Sequence, residues 1–277
     1  MLGAIVGDIV GSRYEFANHR NIEFPFFDDD CFATDDSIMS LAIGKAIVEF
    51  YKQGLELNEK GRQTLFDLTV RYMRQIGQPY PGCGYGGRFL HWMYCLNPKP
   101  YNSFGNGSAM RVSAAAWAAY TLEEALELAK VVTAVTHDHP EGIRGAQATT
   151  AAIFMARQGK SKYEIRQHIN DNYYKLSFTV DEIRPHYQFN ETCMETVPQA
   201  IEAFLESSDF ENAIRLAVSL GGDSDTIAAI TGSIAEAFYG VPPEIEKKAL
   251  SYLDSNLAKL YQEWKAFQAS RAQYLVK

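Results

Sequence analysis

Apolar residues recur at steps of three and four along most of this chain. After Ser37, the residues Ile38, Leu41, Ala42, Ala46, Ile47 and Phe50 follow that spacing and Gly54 closes the run. This marks a buried amphipathic helix whose first turn holds Asp35 and Asp36. The same period predicts helices over 57–77, 108–120, 122–135, 141–157, 192–206, 210–219, 225–238 and 243–266. Stretches such as EGIRGAQATTAAIFMA and SAMRVSAAAWAAY are rich in Ala and Gly, which lets backbones approach closely. The fold class expected is therefore all-α, a compact multi-helix bundle. Three segments resist a helix: 21–34, 77–87 with its YPGCGYGG run, and 171–190, where YYKLSFTV fits either a short strand pair or an ordered loop. No internal repeat and no shift of composition divides the chain, so 1–277 reads as a single domain.

Composition narrows the function classes. Hydrophobic residues make up 47% of the 277 positions and charged ones 22%, an ordinary globular balance that excludes a disordered or collagen-like chain. The formal net charge of −8 repels nucleic acid and anionic membranes, so no direct nucleic-acid binding is expected. A phosphate-bearing ligand would have to be held by local groups or by metal. Cys31, Cys83, Cys95 and Cys193 form no CxxC pair, which fits a reducing compartment, read here as the cytoplasm. In the opening MLGAIVGDIVGSRYEF, Asp8 and Arg13 interrupt the apolar run well short of the roughly 20 residues that span a bilayer. Neither a signal peptide nor a membrane anchor is expected.

Two helix starts carry the candidate chemistry. Thr34, Asp35, Asp36 and Ser37 precede one apolar helix, and Gly221 to Thr226, reading GGDSDT, precede another. Either segment alone fits ordinary capping, because Asp, Ser and Thr satisfy the free N–H groups of a first turn. Together they are harder to explain as caps. Both helices that follow are apolar enough to be central, which buries Asp35, Asp36, Asp223 and Asp225 near one another with no lysine or arginine in either motif. Hard divalent cations are the natural counter-charge for such an oxygen donor set, so the pair predicts a binuclear Mg²⁺ or Mn²⁺ site.

Five motifs in order then show a resemblance to the ADP-ribosylglycohydrolase family: GAIVGDIVGSRYE from Gly3, TDDS from Thr34, GNGSAMR from Gly105, THDHPEG from Thr136 and GGDSDTIAAITGSIAEA from Gly221. One departure is Glu236, where the family usually has glycine, and it is expected to alter only packing or helix exposure. The resemblance implies an orthogonal α-helical bundle of that family's type and two Mg²⁺ or Mn²⁺ ions. Their ligands would be Thr34, Asp35, Asp36, Asp223, Asp225 and Thr226, with Asp225 bridging. It implies Glu15 as the acid/base at the pocket floor, joined by Asp36 and Asp225 as catalytic carboxylates, with Asp8 capping or supporting the site. Gly105, Asn106, Gly107 and Ser108 would cradle the diphosphate of ADP-ribose, and His137 would hydrogen-bond its phosphate or ribose.

Other features keep two readings or lose one. His137 and His139 fit a helix start around Pro140 better than a zinc site. The YPGCGYGG run either borders the substrate, with Tyr85 stacking on it, or simply connects two helices. Cys83 has no histidine beside it and is not expected to be a nucleophile. The activity implied is metal-dependent removal of ADP-ribose from a modified protein or small acceptor, arginine-linked by preference. The acidic run Asp28, Asp29 and Asp30 is the local clue for arginine. The alternatives are a serine-linked or O-acetyl-ADP-ribose hydrolase, a pyrophosphate-cleaving phosphohydrolase, and a non-catalytic ADP-ribose-binding module.

Overall fold

The computed structural model describes residues 1–272, and among these every regular element is a helix. The first seven are α1 (Leu2–Ser12), α2 (Asp35–Lys52), α3 (Glu59–Gly77), α4 (Gly87–Tyr94), α5 (Gly107–Met110), α6 (Ser113–Ala118) and α7 (Leu122–Ala134). They are followed by α8 (Pro140–Arg157), α9 (Lys162–Asn172), α10 (Val180–Ile183) and α11 (Cys193–Glu206). The last four are α12 (Phe210–Val218), α13 (Ser224–Tyr239), α14 (Pro243–Leu250) and α15 (Ser255–Ala272). Among the described residues no helix is long and apolar enough to cross a membrane.

Helices α1 and α13 form the centre, and their approach follows from glycine. A Cβ on Gly3 would lie 2.0 Å from the Gly232 carbonyl oxygen, and one on Gly7 2.0 Å from that of Ala228. One on Gly11 would meet the Asp225 Cα at 2.5 Å. Backbone therefore rests on backbone along the whole of α1, and every residue of α1 is buried. Ser224 Oγ donates to the Gly11 carbonyl at 3.0 Å and pins the start of α13 to the end of α1. Glu236 does more than alter packing. Its Oε2 accepts from the Met1 ammonium at 2.6 Å and from the Gly3 N–H at 2.8 Å, and so satisfies donors that the first turn of α1 leaves free.

Two expected helices are each divided. The 108–120 run breaks at Arg111 and Val112, and the break puts the Arg111 guanidinium against Thr136. The 243–266 run stops after Leu250, and Asp254 restarts it by accepting from the N–H groups of Asn256 and Leu257, both at 2.9 Å. In 171–190 the strand pair is absent. The segment holds the short α10, closed by a Thr179–Glu182 capping box, within an ordered loop. Helices α4 and α9 were not anticipated from the apolar period, although Ser161 and Glu164 form a capping box that announces α9.

Candidate active site

The start of α2 is built around a carboxylate from α1. Asp8, fully buried, accepts from the Thr34 and Ser37 N–H groups, both at 3.0 Å, and from the Thr34 hydroxyl at 2.6 Å. That fixes where Asp35 and Asp36 stand. From the facing side, Asn106 donates to Asp223 Oδ2 at 2.6 Å and Thr226 donates to Asp36 Oδ2 at 3.3 Å. Two groups of carboxylates result, Asp8 with Asp36 and Asp225, and Glu15 with Asp223 and Asp225, each within 4.8 Å across its ligand atoms. Asp225 belongs to both.

The electrostatics of this cluster are one-sided. Burial raises Asp36, Asp35, Asp223 and Asp225 above the ordinary carboxylate range, and neighbouring carboxylates add to the rise, with buried Arg111 the cation that Asp35 and Asp36 act on. Burial also brings Asp8 to about 6 and Glu15 to about 7, the latter helped by Asp223 and Asp8. One buried oxygen, Asp36 Oδ1, has no hydrogen-bond partner at all. An orphaned carboxylate oxygen inside an all-oxygen donor set that no cationic side chain pairs with fits hard divalent cations.

Above the cluster lies a cavity of about 240 Å³. Its wall carries Glu15, Asp35, Asp36, Asp223, Asp225 and Thr226, together with Gly105, Asn106, Gly107 and His137. Most of the residues expected from sequence are thus brought together. Glu15 sits in the turn beyond α1 and is half-buried in the wall, rather than on the helix at a buried floor. Thr34 is not on the wall, because its hydroxyl is committed to Asp8 and to the Asp36 N–H. Asp8, expected to cap or support the site, stands with Asp36 and Asp225 in the cluster.

Of the expected diphosphate cradle, Gly105, Asn106 and Gly107 line the cavity and Ser108 does not. Gly105 pairs with Thr192 in an isolated antiparallel bridge, and this occupies the loop: the Asn106 N–H donates to the Glu191 carbonyl at 2.7 Å and the Gly105 N–H to Ser103 Oγ at 3.2 Å. The Asn106 side-chain amide, at the cavity wall, donates to Asp223 and to Thr196. Ser108 is fully buried off the wall and donates to the Gly105 carbonyl at 3.1 Å. Tyr85 does not stack over the site either. Its phenol donates to the Gly77 carbonyl at 3.4 Å and its ring packs on Phe89, which lines the cavity together with Tyr101. Cys83 contributes a carbonyl to the Asp35 N–H at 2.7 Å, and burial beside Asp35 pushes its thiol up, so it offers no thiolate. His139 is the N-cap of α8, with Nδ1 accepting from the Glu141 N–H at 3.0 Å.

Residues 1–272 match the family model for ADP-ribosylglycohydrolase. The chain belongs to the ADP-ribosylglycohydrolase family. It is 30% identical to the ADP-ribosylarginine hydrolase Tri1 of Pseudomonas putida, over 95% of this chain and 76% of that protein. It is 26% identical to the ADP-ribosyl-[dinitrogen reductase] glycohydrolase of Rhodospirillum rubrum, over 93% and 90%. Its identity to the ADP-ribosylhydrolase ARH3 of Homo sapiens is 24%, over 93% and 90%. A solved structure described as an ADP-ribosylglycohydrolase-related protein complex superposes with a TM-score of 0.66 at 22% identity, over 96% of this chain and 97% of that one, and shares the fold. The family and the relatives named are ADP-ribosyl glycohydrolases, and enzymatic activity of that class follows for this chain.

Sequence reasoning missed several wall residues. Arg111, buried in the GNGSAMR motif, was quoted but given no role, and Phe189 and Glu191 end a loop that carries no periodic signal. The expected acidic rim is also elsewhere. Asp28 pairs with Arg13, and Asp28, Asp29 and Asp30 are not on the cavity wall.

Proposed function

We propose that this chain is a divalent-cation-dependent hydrolase that releases ADP-ribose from ADP-ribosylated arginine. The observation that carries the reading is the buried carboxylate cluster under the cavity, with Asp225 common to both groups and Asp36 Oδ1 unpartnered. Asp36, Asp225 and Asp223 are the residues that would hold two cations, with Asp35, Thr226, Glu15 and Asp8 beside them. Mg²⁺ or Mn²⁺ held there would supply Lewis acidity and a template for the ribose hydroxyls. Asp8 fixes the start of α2, Asn106 orients Asp223, and Thr226 orients Asp36. Glu15, half-buried on the cavity wall beside Asp223 and Asp225, is placed to take a proton from water and return one to the leaving nitrogen. The free cysteines suit the reducing cytoplasm.

For the acceptor, the favouring observation is at the cavity mouth. Glu191 and Phe189 line the wall, and Phe16, 84% exposed, stacks on Phe189 with ring centroids 5.9 Å apart. A carboxylate beside aromatic faces suits a planar guanidinium, by paired hydrogen bonds and by cation–π attraction. A serine or acetyl-ester linkage offers no cation for Glu191. The similarity to an ADP-ribosylarginine hydrolase points the same way.

The deciding experiment incubates arginine-linked, serine-linked and acetyl-ester substrates with Mg²⁺ or Mn²⁺ and measures free ADP-ribose. Release from arginine is expected, and Glu191→Gln should lower kcat/KM for that substrate about tenfold, more than for the ester. Release from serine or the ester with none from arginine would refute the acceptor. AMP as product would instead indicate cleavage of the pyrophosphate, and no release a binding module. Glu15→Gln should keep ADP-ribose affinity within about twofold and lower turnover at least a hundredfold. A large loss of affinity in calorimetry would make Glu15 an anchor rather than the acid/base.

Cation dependence should appear in stability as a function of pH. Unfolded carboxylates ionise near pH 4, whereas Asp8 holds its proton to about 6 and Glu15 to about 7. Between these limits the folded state binds more protons than the unfolded one, so stability of the metal-free protein falls as pH rises. Cations take over from the protons, and the gain in Tm from Mg²⁺ should therefore be larger at pH 8 than at pH 5. Thermal scans in Mg²⁺ and in chelator check this, and an equal gain at both pH values would contradict it.

A further inference from the structure

His137 is buried with its two ring nitrogens in different surroundings. Nε2 faces the loop at the cavity, where a Cβ built on Gly105 would be 3.5 Å from it and one on Gly107 3.6 Å. Nδ1 faces inward, 2.7 Å from Thr136 Oγ1 and 3.2 Å from Arg111 Nη2. Arg111 Nη2 also donates to Thr136 Oγ1 at 2.7 Å.

The donors and acceptors of this trio can be satisfied in one way. A guanidinium has only protons to give, so Thr136 Oγ1 accepts from Arg111. The hydroxyl proton of Thr136 then needs an acceptor, and His137 Nδ1 is the one within reach. A proton on Nδ1 would oppose the N–H groups of Arg111 and leave the hydroxyl without a partner. We propose that Arg111, acting through Thr136, holds His137 as a neutral imidazole with its proton on Nε2, a fixed donor aimed at an oxygen of the bound substrate. Arg111 is on this account a positioning residue. Two of the loop's amides, those of Gly105 and Asn106, are already paired, so a donor on His137 adds to what the loop can offer an anion.

The surroundings support a neutral ring. Arg111 and Arg88 are the charged groups that face it, and with burial they push His137 well below the ordinary histidine range, while the nearby Tyr101 phenol is itself pushed up by burial. Arg111 is unusual in its own right. It is buried without a carboxylate partner, its Nε has no hydrogen-bond partner, and burial brings it to about 10. Its cation lies over the Phe89 ring at 5.5 Å from the centroid. A guanidinium placed this way contributes positive potential behind the donor without needing to touch the ligand.

The inference rests on the reading of the cavity as an ADP-ribose site, and the test separates the two. Long-range proton–nitrogen NMR correlation on protein with labelled histidine, without ligand and at neutral pH, reports which nitrogen of His137 carries the proton; His137→Gln assigns the signals. The wild-type spectrum should show Nε2 protonated and Nδ1 bare. Arg111→Met should release the ring into a mixture of tautomers and weaken ADP-ribose binding about tenfold in calorimetry, and Arg111→Lys should recover most of both. Protonation on Nδ1 in the wild type, or an unchanged His137 spectrum in Arg111→Met, would overturn the assignment. Absence of ADP-ribose binding by the wild type would instead remove the nucleotide reading, with the spectrum still deciding the tautomer.

Discussion

Asp225→Asn will raise the melting temperature of the metal-free protein and abolish the further rise that Mg²⁺ or Mn²⁺ produces. The two effects have opposite signs for one reason. Asp225 is common to both carboxylate groups, and its charged neighbours are Asp223, Asp36, Glu15 and Asp8. Without cations its charge only adds to a buried repulsion, so neutralising it should stabilise the fold by about 1 kcal/mol or more, roughly 2–4 °C for a chain of this size. Asparagine keeps the shape, and its carbonyl still accepts the Thr226 N–H that Asp225 Oδ1 now holds at 2.9 Å. With cations present, the same substitution removes the oxygen best placed to serve both, and the linkage between binding and folding goes with it. ADP-ribose release should fall on the order of a thousandfold, as expected when charge stabilisation of several kcal/mol is lost. Thermal scans in Mg²⁺ and in chelator, with a release assay, measure all three. An Asp225→Asn protein that still gains the wild-type increment from Mg²⁺ would refute the two-cation assignment.

Much of this architecture was legible because it is local. Helices α2 and α13 announce themselves by hydroxyl and carboxylate caps ahead of apolar runs, and their burial forces the question of what neutralises Asp36 and Asp225. The glycine steps at Gly3, Gly7 and Gly11 likewise foretell a helix in contact with another backbone. What was hidden depends on where loops return. Asp8 is legible as a residue that caps or supports the site, but not which helix it caps, and it serves α2 because α1 runs past Thr34. Tyr85 reads as a stacking ring until the loop after α3 turns it back onto Gly77, and Tyr101 lines the wall. Phe189 and Glu191 lie where no period operates, and a bridge between Gly105 and Thr192 that no local rule predicts brings them to the wall. The same bridge occupies one of the amides that the glycine-rich loop was expected to offer a phosphate, that of Asn106. The break at Arg111 interrupts a run of good helix formers, and it exists for a tertiary contact with Thr136.

Gly7→Ala tests whether the site depends on the contact between α1 and α13. The added methyl would sit 2.0 Å from the Ala228 carbonyl oxygen, 2.3 Å from its carbon and 2.7 Å from the Ala229 nitrogen. All three are backbone atoms, so no side chain can rotate away and the helices must separate. Overpacking costs about 1–3 kcal/mol, and a clash with rigid backbone belongs at the upper end, which exceeds the roughly 0.5–1 kcal/mol that alanine gains over glycine in a helix. The displacement does not stay in the core. Asp8 follows Gly7 directly and carries the start of α2, while Asp225 begins α13. Moving α1 off α13 therefore pulls Asp36 away from Asp225, and the cation response should weaken along with the fold. Gly3→Ala meets the Gly232 carbonyl just as closely, at 2.0 Å, but at the far end of α1 from the site. It should lose comparable stability while keeping more of the Mg²⁺-dependent rise in Tm. Gly82→Ala, where nothing lies within 4 Å, serves as the control and should change stability by no more than about 0.5 kcal/mol. Denaturant unfolding of the three variants with and without Mg²⁺ gives the ordering. If Gly7→Ala and Gly3→Ala lose the cation response equally, the glycine contact supports the core alone and the site draws its geometry from elsewhere.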